Sequence, residues 1–266
     1  MSEMGLLLET AVDAAKTGGV VLKNGFGTIQ QDQIGLKGTG DFVSELDHQS
    51  EQAIIRRIKK DFPDHSILAE ESGQAGELVS LQWCIDPLDG TVNYVQGVAH
   101  FSISIAVLKG NDVLLGVVYD PMRDELFHAV RNGGAFLNGQ KIHVLEKDDF
   151  SRAVLTTGFP WRARSHIDLY LSSFKDLFLK SAGIRRMGSA ALDLSYTACG
   201  RFDGFWEMAL KPWDIAAGIL MVKEAGGVVS DFNGGDTTMN SGNVVASNYQ
   251  LHPMIVNITQ KHLSEV

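Results

Sequence analysis

Five carboxylates, Glu70, Asp86, Asp89, Glu207 and Asp214, fall in segments that read as strand ends or helix starts. Folds that alternate strands and helices gather their chemistry at such places. Asp86 and Asp89 bracket Pro87 and Leu88 and run straight into Gly90 and Thr91. Pro87 fixes its own φ and carries no N–H, so the chain is expected to leave its strand ladder there. Gly90 lets the main chain approach whatever lies in front of it. If a helix starts at Thr91, the free N–H groups of Gly90 and Thr91 point to the same place as the two carboxylates. Carboxylates alone repel a phosphate, but carboxylates holding hard divalent cations beside free N–H groups make a phosphate site. Each piece also has a plainer reading. Pro-Leu-Asp-Gly is ordinary turn composition, and the Glu70-Glu71 pair suits a solvated loop. Asp47 and Asp214 suit the first turn of a helix as dipole-favoured acids or caps. Glu207 suits a strand edge, and Gly188, Ser189 and Ala190 suit a close-packed helix start.

The elements that would position these groups follow from periodicity. Apolar residues at helical spacing predict an opening helix over 6–22, then a polar, Gly-punctuated loop over 25–40 that contains Lys37. A second helix runs to about Lys60 with Ala53, Ile54, Ile55 and Ile58 inward, and a short strand covers 66–69. The apolar Trp83-Cys84-Ile85 ends a buried strand, and an antiparallel meander follows over 101–108, 113–119, 125–130 and 135–142. From about Phe150 the pattern becomes strands over 153–157, 184–187, 202–208, 228–230 and 243–247, alternating with helices over 167–179, 189–199, 213–225 and 252–263. Such alternation predicts a mixed, partly parallel sheet with helices on its faces. Residues 1–266 are read as one unit of two intimately joined halves, 1–149 and 150–266.

Composition narrows the class. Hydrophobic residues at 44% and charged residues at 21% suit a globular protein with a sizeable core. No apolar run approaches the ~20 residues that cross a bilayer, and the acidic Met1-Ser2-Glu3-Met4 does not read as a secretory signal. Cys84 and Cys199 lie far apart in apolar settings without metal-ligand spacing, which predicts two buried thiols in a reduced, cytoplasmic setting. A net charge of −9 argues against direct wrapping of nucleic acid, although metal ions could still bring in an acidic substrate.

Glu70-Glu71-Ser72, the stretch Trp83-Cys84-Ile85-Asp86-Pro87-Leu88-Asp89-Gly90-Thr91-Val92-Asn93, and Trp213-Asp214 with Glu224-Ala225-Gly226-Gly227 together resemble the inositol monophosphatase family. The likeness runs from the first helix to the last. The segments GSAALDL and GFWEMALKPWD are most similar to the bacterial inositol-1-monophosphatases of the extragenic-suppressor type. The resemblance implies a layered αβαβα sandwich of mixed α+β and α/β character, and lithium-sensitive, Mg²⁺-dependent hydrolysis of a phosphate monoester such as myo-inositol 1-phosphate. It places a first Mg²⁺ on Glu70, Asp86 and the Leu88 carbonyl, a second on Asp86, Asp89 and Asp214, and a third, weaker ion near Glu70. It places phosphate on the Gly90 and Thr91 N–H groups. The polyol would face Asp89, Gly188, Ser189, Ala190, Glu207 and Asp214, with Arg185 nearby. Lys37, Asp41 and Asp47 match the family's mobile loop, and a Thr91–Asp47 pair, helped by Glu70, would activate the water. A homodimer is expected as well, and so are protein contacts with the transcription antitermination machinery. The segment between Ser72 and Trp83 is slightly short for the family.

The chemistry of the residues agrees with that assignment. Mg²⁺ takes few carboxylates and keeps waters, so acids dispersed over several segments suit it better than a single-loop calcium cage. Two ions can clamp the attacking and leaving oxygens of an in-line displacement. No Ser–His or Cys–His arrangement is required, and His48, His65 and His100 read as surface or packing residues. The nearest rival is an aspartyl-phosphate phosphatase, whose two aspartates are separated by one residue, whereas Pro87 and Leu88 both separate Asp86 from Asp89. Within the family, fructose-bisphosphatase, adenosine bisphosphate phosphatase and histidinol-phosphatase activities share the metal core and differ in the polyol wall.

Overall fold

A computed structural model describes residues 2–29, 34–38, 41–75, 81–159 and 161–266, and the side chains at 34, 36–38, 41–43 and 161 fall outside that description. Helix α1 (Glu3–Gly25) starts where Ser2 accepts a hydrogen bond from the Gly5 N–H at 3.1 Å. It buries Leu7, Ala11, Ala14, Ala15 and Leu22, the stripe that helical spacing marks out. The expected loop after it instead contains a short antiparallel ribbon, β1 (Ile34–Gly38) with β2 (Asp41–Ser44). Its strands are too short, and the first too Gly-rich, for period-two patterning to reveal them. Helix α2 (Glu45–Asp61) follows, with Ala53, Ile54 and Ile58 buried as expected and Ile55 only partly so.

An eight-stranded sheet comes next. It comprises β3 (Ser66–Ala69), β4 (Gly73–Ala75), β5 (Gln82–Asp89), β6 (Ser102–Lys109), β7 (Asp112–Asp120), β8 (Glu125–Val130), β9 (Gly134–Leu137) and β10 (Gln140–Lys141). A short helix, α3 (Thr91–Val95), sits between β5 and β6. The spatial order is β10-β9-β8-β7-β6-β5-β3-β4, antiparallel except for the parallel pair β3 and β5. The strand through Pro87 needs a correction. Asp86 pairs with Ser104 and Asp89 with Ser102, so the ladder resumes after one extra residue on β5. Pro87 leaves the ladder only as far as a bulge, which tolerates its missing N–H and re-aims the carboxylates on either side.

The second sheet has five strands in the order β12 (Gly183–Arg185), β11 (Val154–Thr157), β13 (Gly204–Glu207), β15 (Val244–Ser247), β14 (Val228–Ser230). As expected it is mixed, with β12, β11 and β13 parallel and β15 antiparallel to both its neighbours. Its helices are α4 (Ile167–Phe178), α5 (Ala190–Ala198), α6 (Pro212–Glu224), α7 (Thr238–Ser241) and α8 (His252–Leu263). The four-residue α7 lies between β14 and β15, where the sequence pattern marks no helix.

Side-chain alternation shows the layers. Trp83, Ile85, Ile103, Ile105 and Val107 turn to one side of the first sheet, against α1 and α2. Cys84, Ala106 and Leu108 turn to the other, where α5 and α6 meet Phe205, Val244 and Ala246 of the second sheet. Leu155, Trp206 and Val245 face outward onto α4 and α8. The order of layers is therefore helix, sheet, helix, sheet, helix, the αβαβα sandwich. Its middle layer is thin because small residues line it. A side chain on Gly116 of β7 would stand 2.7 Å from the Ala217 Cα of α6, and one on Gly218 of α6 would stand 2.5 Å from the Leu194 Cβ of α5. Cys84 is buried and Cys199 only partly so, and both are free thiols.

Candidate active site

The carboxylates named from sequence do meet. Glu70, Asp86, Asp89, Glu207 and Asp214 line one cleft, together with Leu88, Gly90, Thr91, Gly188, Ser189 and Ala190. Glu70 follows β3 directly and is pinned by its N–H, which donates to the Ile85 carbonyl at 3.1 Å. The bulge is braced from α2, where the Ser50 hydroxyl donates to the Pro87 carbonyl at 3.0 Å. Within it the Leu88 N–H donates to Asp86 Oδ1 at 3.0 Å. Gly90 has φ +99°, and a side chain there would meet the carbonyl oxygens of Gly188 and His100, each at 3.2 Å. Only glycine supplies both the left-handed turn and the space.

Asp47 caps α2 and also reaches Thr91. It is the third residue of α2, and its Oδ2 accepts from the Ser44 N–H at 2.9 Å and the Ser44 hydroxyl at 2.6 Å. Its Oδ1 lies 3.2 Å from the Thr91 hydroxyl, which also reaches the Leu88 carbonyl at 3.0 Å. One oxygen caps a helix while the other faces the site. Asp47 is 1% exposed, and burial raises its carboxyl against the opposing hydrogen bonds from Ser44.

Asp89 and Asp214 also serve helix starts. Asp89 Oδ2 accepts from the Ser189 hydroxyl at 2.5 Å and the Ala191 N–H at 2.8 Å, tying the bulge to the start of α5. Asp214 Oδ2 accepts from the Lys211 N–H at 2.7 Å and from Arg162 Nη1 at 3.0 Å. Glu207 closes the wall at the end of β13. Burial raises Asp86, Asp89, Glu207 and Asp214, and like-charged neighbours add to the rise at the first three. Burial, then Glu70, Asp89 and Asp214, holds Asp86 well above the usual carboxylate range. Burial and Asp214 push Asp89 up to about 7 and Glu207 up to about 8. Burial also raises Asp214, against the pull of Arg162.

Dispersed carboxylates and one carbonyl are hard oxygen donors, and a divalent cation would relieve their mutual repulsion. The set therefore fits an ion such as Mg²⁺, held by few protein groups with water completing its shell. Among the described residues no three His, Cys, Asp or Glu side chains close into a ready-made cage. Two of the oxygens are instead engaged, Asp89 Oδ2 by Ser189 and Ala191 and Asp214 Oδ2 by Lys211 and Arg162.

One expectation needs adjusting. Arg185 is exposed and donates to the neighbouring Ile184 carbonyl at 3.2 Å, outside the cleft lining. Arg186 and Arg162 line the cleft instead, since successive residues of an extended segment face opposite sides. Arg162 comes from a 3-10 turn, Trp161–His166, that carries no motif and lies 52 residues from Asp214. The side chains of Lys37 and Asp41 lie outside the described residues. Among the histidines, His48 is exposed, His65 accepts from the Trp83 indole N–H at 3.0 Å, and His100 is buried against Tyr196.

The chain matches the inositol monophosphatase family over residues 4–264. It is 46% identical over 263 residues to the Nus factor SuhB of Pasteurella multocida, covering 98% of each chain. It is 41% identical over 259 residues to an inositol-1-monophosphatase of Mesorhizobium japonicum, covering 97% of each. The solved structure of the extragenic suppressor protein suhB from Bartonella henselae superposes with a TM-score of 0.93 at 38% identity, covering 97% of this chain and 100% of that one. Motif, fold and relatives agree: the chain belongs to the inositol monophosphatase family.

Proposed function

We propose that this protein is a Mg²⁺-dependent phosphatase that hydrolyses myo-inositol 1-phosphate to inositol and phosphate. The observation that carries this is the convergence of Glu70, Asp86, Asp89, Asp214 and the Leu88 carbonyl on one cleft beside the Thr91–Asp47 pair. Two or three Mg²⁺ ions held by those oxygens would supply Lewis-acid polarisation of the phosphoryl group and lower the pKa of water. The rest falls to the chain itself. The Gly90 and Thr91 N–H groups bind phosphate oxygens. The Thr91 hydroxyl accepts a hydrogen bond from the attacking water while its own proton is held toward Asp47 Oδ1, which takes up the released proton. Ser44 keeps the other Asp47 oxygen occupied, so Oδ1 is the one aimed at Thr91. Glu207 with Gly188, Ser189 and Ala190 forms the wall that meets ring hydroxyls. A panel of phosphate monoesters assayed by phosphate release tests this reading. We expect no turnover in EDTA, recovery with Mg²⁺, and inhibition by Li⁺. Glu207→Ala should raise KM for inositol 1-phosphate more than for glycerol 2-phosphate. Full activity without divalent metal would overturn the mechanism, and a preference for a bisphosphate or histidinol phosphate would reassign the substrate.

A second role is supported by relatives that carry the name Nus factor SuhB. We propose that this chain, as a cytoplasmic homodimer, also contacts protein components of the transcription machinery. Asp86→Asn should abolish hydrolysis and leave co-purification of those components intact. Loss of both together, or sedimentation as a monomer at micromolar concentration, would count against this role.

A further inference from the structure

Gly158 follows the last residue of β11 and lies in the cleft wall beside Glu207. Parallel pairing brings the two together. Leu155 is opposite Gly204, Thr156 opposite Phe205 and Thr157 opposite Trp206, so the next step along both strands sets Gly158 against Glu207. A side chain at 158 would begin 2.1 Å from Glu207 Oε1, 2.3 Å from its Cδ and 2.4 Å from Oε2. The volume that any other residue would fill is therefore already taken by the carboxylate. Gly158 is not among the glycines with left-handed φ, so a side chain there would meet crowding by the Glu207 carboxylate and no backbone strain.

The main chain at this point has no slack. The buried Thr157 hydroxyl lies 2.6 Å from the Trp206 carbonyl and 2.5 Å from the Tyr170 hydroxyl, and the Tyr170 hydroxyl donates to the same carbonyl at 3.1 Å. These bonds lock the end of β11 to the end of β13. If the 158 position gained bulk, the strands would hold and the carboxylate would move. The far end of a glutamate is free to turn, and it would turn into the cleft, toward Arg162 and Arg186.

We infer that Gly158 is a specificity-determining residue: lacking a side chain, it seats the Glu207 carboxylate back against the main chain and keeps the cleft wide enough for a ring-sized leaving group. The inference rests on the polyol wall proposed above and adds the residue that sets its depth. The Gly158→Ala enzyme tests it, because the atoms that must shift belong to a flexible side-chain tip and the fold should survive. We expect the ratio of kcat/KM for inositol 1-phosphate to that for glycerol 2-phosphate to fall roughly tenfold or more, the range that one methylene commands in a fitted pocket. Glu207→Asp withdraws the carboxylate by one methylene, so the double variant Gly158→Ala/Glu207→Asp should recover the ratio toward that of Glu207→Asp alone. A crystal structure of Gly158→Ala should show the Glu207 carboxylate displaced into the cleft. Equal losses on both substrates, a double variant no better than Gly158→Ala, or an unmoved carboxylate would each overturn the inference. A wild-type enzyme that cleaves neither ester would refute the proposed substrate instead, and the crystal structure would then decide the seat by itself.

Discussion

Replacing Asp89 by asparagine should stabilise the metal-free protein at pH 8, by an amount that follows from where its carboxylate sits. Asp89 is 8% exposed, and burial with the neighbouring Asp214 pushes its carboxyl from 3.8 up to about 7. In the unfolded chain the ordinary value returns. Between pH ~4 and ~7 the unfolded chain has released this proton while the folded one still holds it, so stability falls as pH rises through that window. Above it the cost is fully developed. About three pK units at about 1.4 kcal/mol each give on the order of 4 kcal/mol. An asparagine removes that cost, and its side-chain oxygen can still accept from the Ser189 hydroxyl and the Ala191 N–H that Asp89 now holds. At about 2 °C per kcal/mol for a chain of this length, Asp89→Asn should melt roughly 8 °C above wild type in EDTA at pH 8. The gap should shrink by more than half at pH 5, where most of the titration is undone. Scanning calorimetry from pH 5 to 8.5 with EDTA measures it, and a parallel series with saturating Mg²⁺ should raise the wild-type melting temperature far more than the variant's. A variant less stable than wild type at pH 8 in EDTA, or a gap indifferent to pH, would refute the idea that Asp89 is held in mutual repulsion awaiting a cation.

Asp47→Asn and Thr91→Ala should each lower kcat by roughly 10²–10⁴-fold. The double variant should be little worse than either, because the two act as a unit. Multiplicative losses, or an Asp47→Asn enzyme with normal kcat and a stability loss of ~1 kcal/mol, would leave Asp47 as a helix cap alone. At the far side of the molecule, His252 is buried between the hydroxyls of Ser230 at 2.8 Å and Ser247 at 3.3 Å, and burial drives its ring from 6.5 down to about 4. The unfolded chain takes up this proton first, so the stability it contributes is present above pH ~6.5 and is lost as pH falls toward 4, by up to about 3 kcal/mol. His252→Gln should therefore flatten the acid side of the stability curve, and an unchanged slope between pH 6.5 and 4 would refute this.

The parts of the molecule legible in the sequence are those whose partners are local. β6 and β7 alternate because each of their faces meets a different core, and that period survives in the bare sequence. Asp86, Leu88, Asp89, Gly90 and Thr91 lie within one turn and bulge, so spacing alone brings them to one place. The ribbon β1–β2 escaped because strands of four or five residues, the first broken by two glycines, carry no period. Pro87 suggested a break in the ladder, although one extra residue on β5 lets the strand continue. Arg185 and Arg186 are interchangeable by composition, and only the direction of the extended chain puts the second one on the cleft.

The strand register behind the proposed polyol wall was hidden for a different reason. Thr157 meets Trp206 across 49 residues, and Arg162 meets Asp214 across 52. No periodicity records the register of two parallel strands joined through helices, yet that register alone sets Gly158 under Glu207. A shift of one residue would turn every side chain of β13 to its other face. Trp206 would then point to the cleft and Glu207 into the outer core that Trp206 now fills. The proposed phosphate donors and three of the proposed cation ligands thus lie in one contiguous stretch, Asp86 to Thr91, joined by Glu70 and Asp214 from other segments, whereas the shape of the proposed polyol wall is set by how two distant strands align. Substitutions that alter substrate choice while sparing phosphate chemistry should accordingly cluster along β11, β13 and the turn before α5 rather than in the bulge itself.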